Sequence, residues 1–159
     1  MLAELKDVTV YTDGACTGNP GPGGYGIVLI YGEKRKEISA GYRRTTNNRM
    51  EVLAAIVALE TLRYPCSVTI YTDSQYLVNS IEKGWVLGWR AKNWKKADGK
   101  PAVNIDLWKR ILPLLEMHKV RFKWVRGHAE NAENNLCDEL AVEAAHGKNL
   151  PPDVGYEGK

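Results

Sequence analysis

Two stretches of this chain close on an acid followed by a small residue. Val8-Thr9-Val10-Tyr11-Thr12-Asp13-Gly14 is echoed by Val68-Thr69-Ile70-Tyr71-Thr72-Asp73-Ser74. Both are rich in β-branched and aromatic residues, which reads as a short strand stopping at a loop. Side chains alternate along a strand, so Thr9, Tyr11 and Asp13 share one face, as do Thr69, Tyr71 and Asp73. If the strands are parallel neighbours in register, the two carboxylates meet at one sheet end, about 5 Å apart. Acids that close repel unless a cation lies between them. The bland alternative is that two strands each happen to end in a polar residue. Glu51 is a third acid in an odd place, on a helical face with Ala54, Ala55 and Ala58 that leaves a carboxylate room but little water. An acid in the first helical turn also suits the helix dipole, so Glu51 by itself decides nothing. Asp138 is a fourth candidate, because its helix starts beside the loop that leaves the last strand. Hard divalent cations take carboxylate oxygens. Such clusters hold two metal ions about 4 Å apart for in-line displacement at phosphorus.

The elements that must position these acids follow from pattern. Residues 18–26, Gly-Asn-Pro-Gly-Pro-Gly-Gly-Tyr-Gly, contain a formal G-x-G-x-x-G at Gly21, Gly23 and Gly26. A dinucleotide fingerprint must open a helix, whereas prolines interleave here and Ile27 to Tyr31 follows as a strand. The stretch therefore reads as a loop into a hairpin. With a turn at Gly32-Glu33 and a return over residues 34–44, the first three strands form an antiparallel meander. Thr45-Thr46-Asn47-Asn48 offers capping residues for a helix over 49–62. Met50, Leu53, Ala54, Val57 and Ala58 give it one apolar face, and Val52, Ile56 and Leu59 widen that face, so the helix should be largely buried. Strand, hairpin, helix, strand implies a crossover that sets the strand at 67–72 parallel to the first. A helix capped by Ser74, a helix over 104–117, a strand over 120–125, a loop at Gly127-His128-Ala129 and a helix over 134–145 complete the chain. The tail from Gly147, with Pro151 and Pro152, should be loosely held.

Length suits one domain, residues 1–159, with 146–159 as a flexible tail. No run of apolar residues is long enough for a membrane span, and the N-terminus lacks an apolar signal region. Cys16, Cys66 and Cys137 are odd in number and show no C-x-x-C pair, which suits reduced thiols in the cytoplasm. The formal net charge is only +3. Between Lys83 and Lys100, however, six basic residues stand against one acid, so that segment carries +5 and the remainder −2. Trp85, Trp89 and Trp94 are interleaved there, a mixture that suits a nucleic-acid backbone with flat rings against sugars or bases. An amphipathic helix with its tryptophans turned to the core is the alternative, expected for at least one of the three.

Five motifs in order resemble bacterial type 1 ribonuclease H. They are residues 11–16, Tyr-Thr-Asp-Gly-Ala-Cys; the glycine-rich 18–26; 45–51, Thr-Thr-Asn-Asn-Arg-Met-Glu; 72–76, Thr-Asp-Ser-Gln-Tyr; and Gly127-His128 with Asn134 and 137–141, Cys-Asp-Glu-Leu-Ala. The resemblance spans about residues 7–146. It implies an α/β, ribonuclease H-like fold: a five-stranded mixed sheet, strands 1–3 antiparallel and strands 4 and 5 parallel to strand 1, flanked by helices. It implies a monomeric endonuclease that cuts the RNA strand of RNA–DNA hybrids, leaving 3′-hydroxyl and 5′-phosphate ends, with two Mg²⁺ ions or Mn²⁺ in their place. Asp13, Glu51, Asp73 and Asp138 match the family's metal-binding acids, and His128 a loop histidine tied to proton transfer or product release. Asn19, Asn47, Asn48 and Gln75 match contacts to the hybrid's minor groove, where amides suit 2′-hydroxyls. Asn134 belongs with these substrate contacts. Arg44 and Thr46 match a pocket for a DNA-strand phosphate. Residues 83–100 match a basic protrusion, with Trp85 along the DNA strand and Lys92, Lys95 and Lys96 as phosphate contacts. One residue is inserted before Trp85, Ala15 stands where a serine is common, and the N-terminal hybrid-binding domain of many eukaryotic members is not expected. Integrases, transposases and exonucleases share the wider fold, but not the protrusion and the Thr-Thr-Asn-Asn-Arg-Met-Glu motif.

Overall fold

The computed structural model describes residues 5–126 and 131–158. β1 (Lys6–Cys16), β2 (Gly21–Tyr31) and β3 (Lys34–Thr45) form the antiparallel meander, and α1 (Asn47–Thr61) crosses to β4 (Cys66–Thr72). α2 (Gln75–Glu82), α3 (Trp85–Ala91) and α4 (Ile105–Met117) lead to β5 (Lys119–Trp124), followed by α5 (Ala132–Ala145) and a short α6 (Val154–Glu157). The sheet order is β3-β2-β1-β4-β5, with β4 parallel to both β1 and β5. This is the mixed sheet expected from the sequence.

The echoed stretches pair without offset: Val8 with Val68, Thr9 with Thr69, Val10 with Ile70 and Tyr11 with Tyr71. β1 does not stop at Asp13, however. Its parallel ladder with β4 closes at Tyr11, while its antiparallel ladder with β2 continues through Asp13–Gly26 to Cys16–Gly23. The glycine-rich stretch is likewise strand rather than loop from Gly21 onward. Its turn is confined to residues 17–20, closed by the Thr17 N–H donating to Pro22 O at 2.8 Å. The glycines are there for α5. A Cβ on Gly24 would lie 2.7 Å from Ala141 O and 2.8 Å from Ala145 N, so only a bare backbone lets the helix lie this close to the sheet.

Two layers cover the sheet. Val8, Val10, Val68, Ile70 and Phe122 point into a core shared with α1, α2 and α4, while α5 packs on β1, β2 and β3. As its sequence implies, α1 is buried almost all round. β5 buries only Phe122 fully, and Trp124 tips outward. The segment after Gly147, expected to be loosely held, has specific partners. Pro151 O accepts from the Arg43 N–H at 2.9 Å, Asp153 is buried, and Glu157 pairs with Arg43 at 3.0 Å. Composition cannot show such partners, because they lie over a hundred residues away.

Candidate active site

Asp13, Glu51 and Asp73 converge. Each offers a carboxylate oxygen, and these oxygens lie within 4.8 Å of one another. Asp13 comes from β1, and Asp73 from the bend between β4 and α2. That bend is held by the Ser74 N–H donating to Thr72 Oγ1 at 3.0 Å and by Ser74 Oγ accepting from the Leu77 N–H at 3.1 Å. Trp124 Nε1 donates to Asp73 O at 3.0 Å and ties it to β5. Glu51 reaches the pair because Gly14 lets α1 settle on β1. A Cβ there would sit 2.8 Å from Glu51 N and 2.9 Å from Met50 Cβ. Since α1 begins at Asn47, Glu51 lies beyond the first turn, which contains no acid. The helix-dipole explanation for this carboxylate therefore lapses.

The electrostatics are those of crowded, buried carboxyls. Burial first, then the neighbouring Asp73 charge, pushes Asp13 up to about 7, against hydrogen bonds to Glu51 and the Gly14 N–H. Burial also drives Glu51 well above the ordinary carboxyl range, with Asp13 and Asp73 adding to it. Glu51 is 4% exposed, and its Oε2 has no hydrogen-bond partner among the described residues. Such an atom is costly unless something meets it. An all-oxygen donor set with surplus negative charge fits hard divalent cations. Asp138 stands apart from the close trio. It lines the same cleft of about 210 Å³ with them, and its charge adds to the rise at Asp13.

The RNase H family model matches residues 5–146. The ribonuclease H of Desulforamulus reducens is 62% identical over 150 residues, covering 94% of each chain. That of Syntrophus aciditrophicus is 61% identical, covering 95% of this chain and 87% of its own. The chain belongs to the ribonuclease H family. Among solved structures, LC9-RNase H1, a type 1 RNase H with the type 2 active-site motif, superposes with TM-score 0.83 at 32% identity, over 94% of this chain and 77% of that one. LC11-RNase H1 in complex with RNA/DNA hybrid gives 0.66 at 26% identity, over 87% of this chain and 96% of that one. The resemblance drawn from the motifs thus holds at the level of family and fold.

Two of the other residues singled out by resemblance to the family lie at the cleft. Asn47 and Asn134 line the cleft. Asn19 Oδ1 accepts from the Asn47 N–H at 3.0 Å, joining two of them. Asn134 Oδ1 is buried and unpartnered among the described residues. Thr46 caps α1 through the Arg49 N–H at 3.2 Å, with Arg44 and Asn48 exposed on either side of it in sequence, and Gln75 is exposed at the start of α2. Trp85 opens α3 and is 43% exposed, with Lys83 Nζ 5.8 Å from its ring. Trp89 and Trp94 pack on the core, Trp89 against Trp108. Lys92 and Lys95 are exposed, and Lys96 is half-buried, 3.9 Å from Asp98. His128 lies outside the described residues. Sequence reasoning missed Gly14, Val125, Arg126 and Asn135, which line the cleft. A glycine directly after the acid was a usable signal for Gly14; the other three carried none. It also missed Arg49, buried two residues before Glu51.

Proposed function

We propose that this chain is an endonuclease that hydrolyses the RNA strand of RNA–DNA hybrids, working as a single catalytic domain and a monomer in the cytoplasm. Family membership and the acidic cleft support the reaction. Three free cysteines suit a reducing compartment. No helix of the described residues is long and apolar enough to cross a membrane. The single observation that carries the mechanism is Glu51, a buried carboxyl with an oxygen unpartnered among the described residues, facing two further acids.

Asp13, Glu51, Asp73 and Asp138 would hold two divalent cations, Mg²⁺ with Mn²⁺ as the alternative. Such ions, when bound, supply an activated water and charge stabilisation at the leaving oxygen. Water oxygen bonds to phosphorus as the P–O3′ bond breaks, leaving a 5′-phosphate and a 3′-hydroxyl. The chain's own residues set where this happens. Buried Asp13 and Glu51 exclude bulk water, and the bend at Asp73 is clamped from two sides. Asn19, Asn47, Asn48, Gln75 and Asn134 offer amides to 2′-hydroxyls and base edges, the groups that separate RNA from DNA. Arg44 and Thr46 would take a DNA-strand phosphate. Trp85, Lys92, Lys95 and Lys96 would follow that strand, and His128 would assist proton transfer or product release.

The test is incubation with Mg²⁺ and matched RNA–DNA, RNA–RNA and DNA–DNA duplexes and single-stranded RNA. Cleavage of the RNA strand of the hybrid alone is expected, with 3′-hydroxyl ends. Cutting of duplex DNA, or an intact hybrid, defeats the reading.

A further inference from the structure

β5 is an edge strand, and the face it turns away from the core carries Lys119, Arg121 and Lys123 in succession. All three are exposed, and none is in an ion pair among the described residues. Alternate strand residues stand about 6.6 Å apart, a spacing comparable with that of successive phosphates along an extended nucleic-acid strand. No acid interrupts the row. Asp7, on the same face, is two strands away through Ser67. Beside the row on β4, the half-buried Tyr71 has Lys123 Nζ 6.0 Å from its ring centre and is stacked on Tyr11 at 4.9 Å. α5 packs on β1–β3, and among the described residues Lys119, Arg121 and Lys123 stay exposed on the other half of the sheet. The row also leads somewhere: Val125 and Arg126, which follow β5, line the acidic cleft.

We infer that the outer face of β4 and β5 is a track for single-stranded RNA continuous with the strand held in the cleft. The occupant follows from charge and place. A line of cations beside an aromatic platform suits a phosphate backbone with exposed bases, and the only chain that can enter it from the cleft is the strand being cut. Lysines on an edge strand also discourage sheet-to-sheet pairing, but that role requires no dependence on nucleic acid. The inference rests on the hybrid-cleaving reading for the identity of the strand, and a separate measurement tests it without cleavage.

The experiment compares the full chain with K119Q/R121Q/K123Q. The substrates are a blunt hybrid and the same hybrid with a single-stranded extension of either its RNA or its DNA strand, at each end. For the unaltered chain, an RNA tail at one end is expected to lower KM by about tenfold at low salt, the size three phosphate contacts would give. The triple variant should lose that gain while keeping kcat and KM on the blunt hybrid. Binding of a fluorescent single-stranded RNA, followed by anisotropy, should weaken in the variant and lose about two from its log–log salt slope. No gain from an RNA tail, a gain from a DNA tail alone, a gain that survives in the variant, or an equal loss on the blunt hybrid overturns the track. If the blunt hybrid is not cut at all, the hybrid reading fails, and the anisotropy comparison alone decides the track.

Discussion

Two buried charged residues stand two positions apart on α1, and the chain treats them in opposite ways. Arg49 is 1% exposed and fully met. Its Nε and Nη2 donate to Asp153 at 2.8 and 3.0 Å, its Nη1 and Nη2 to Asp106 at 2.8 and 2.7 Å, and Nη1 also to Asn104 at 3.2 Å. Thr45 Oγ1 completes Asp153 at 2.6 Å. Together they hold the guanidinium charged, its pKa raised despite burial. Glu51 is almost as buried but faces other acids, and one of its oxygens has no hydrogen-bond partner among the described residues. A buried charge with all its partners belongs to the structure. A buried charge surrounded by its own sign is stable only with something the chain does not supply.

That contrast can be broken by removing each residue in turn. Glu51→Gln should lower kcat on the hybrid by about a thousandfold, because it removes a carboxylate that would hold the divalent cations facing the developing negative charge. It should leave the chemical-denaturation midpoint of the metal-free protein unchanged or higher, since it relieves repulsion. A large loss of stability instead would place Glu51 in the scaffold. Arg49→Met should do the reverse in stability, costing about 3–5 kcal/mol in urea unfolding because Asp153 is left buried without its cation. A neutral result would mean that the network contributes nothing net.

The pH dependence of the metal-free protein sharpens the comparison. Asp13 titrates near 7 when folded, against 3.8 ordinarily. Below about 4 both states carry the proton. Between 4 and 7 the folded state holds it and the unfolded state does not, so stability falls as pH rises through that window. At about 1.4 kcal/mol per pH unit, the total is at most about 4 kcal/mol. Unfolding by urea at pH 5 and pH 8 in the presence of a chelator should show about 3 kcal/mol of it. Excess Mg²⁺ should shrink the difference, and Asp13→Asn should remove the Asp13 share while leaving the contribution of Glu51, which has the same sign. The smallest effect is Asp153→Asn, which keeps one of the two oxygens that accept from Arg49, replaces the other by a donor and removes one charge, expected at about 1–3 kcal/mol.

Much of this was legible beforehand. The crossover predicted that the stretches Val8–Asp13 and Val68–Asp73 are parallel, and the echo between them suggested the zero register that the structure shows. Thr46 and Ser74 were readable as helix caps, since capping is local chemistry. The glycines of 21–26 were misread as turn, because their reason is the approach of α5 from over a hundred residues away. The anchoring of the C-terminal segment was hidden in the same way, and Arg49 passed unnoticed because a lone arginine in a helix shows no sign of being buried.

By itself the sequence determined the family, the order of the five strands and most of the helices, and it singled out Asp13, Glu51, Asp73 and Asp138 as candidates, since these rest on local periodicity and on motifs. Only the tertiary structure decided that Glu51 lies past the first turn and against Asp13, that Asp138 stands apart from the close trio, and that Arg49 is a matched charge. Burial and partnership are properties of residues distant in sequence, brought together by glycines that let backbones touch.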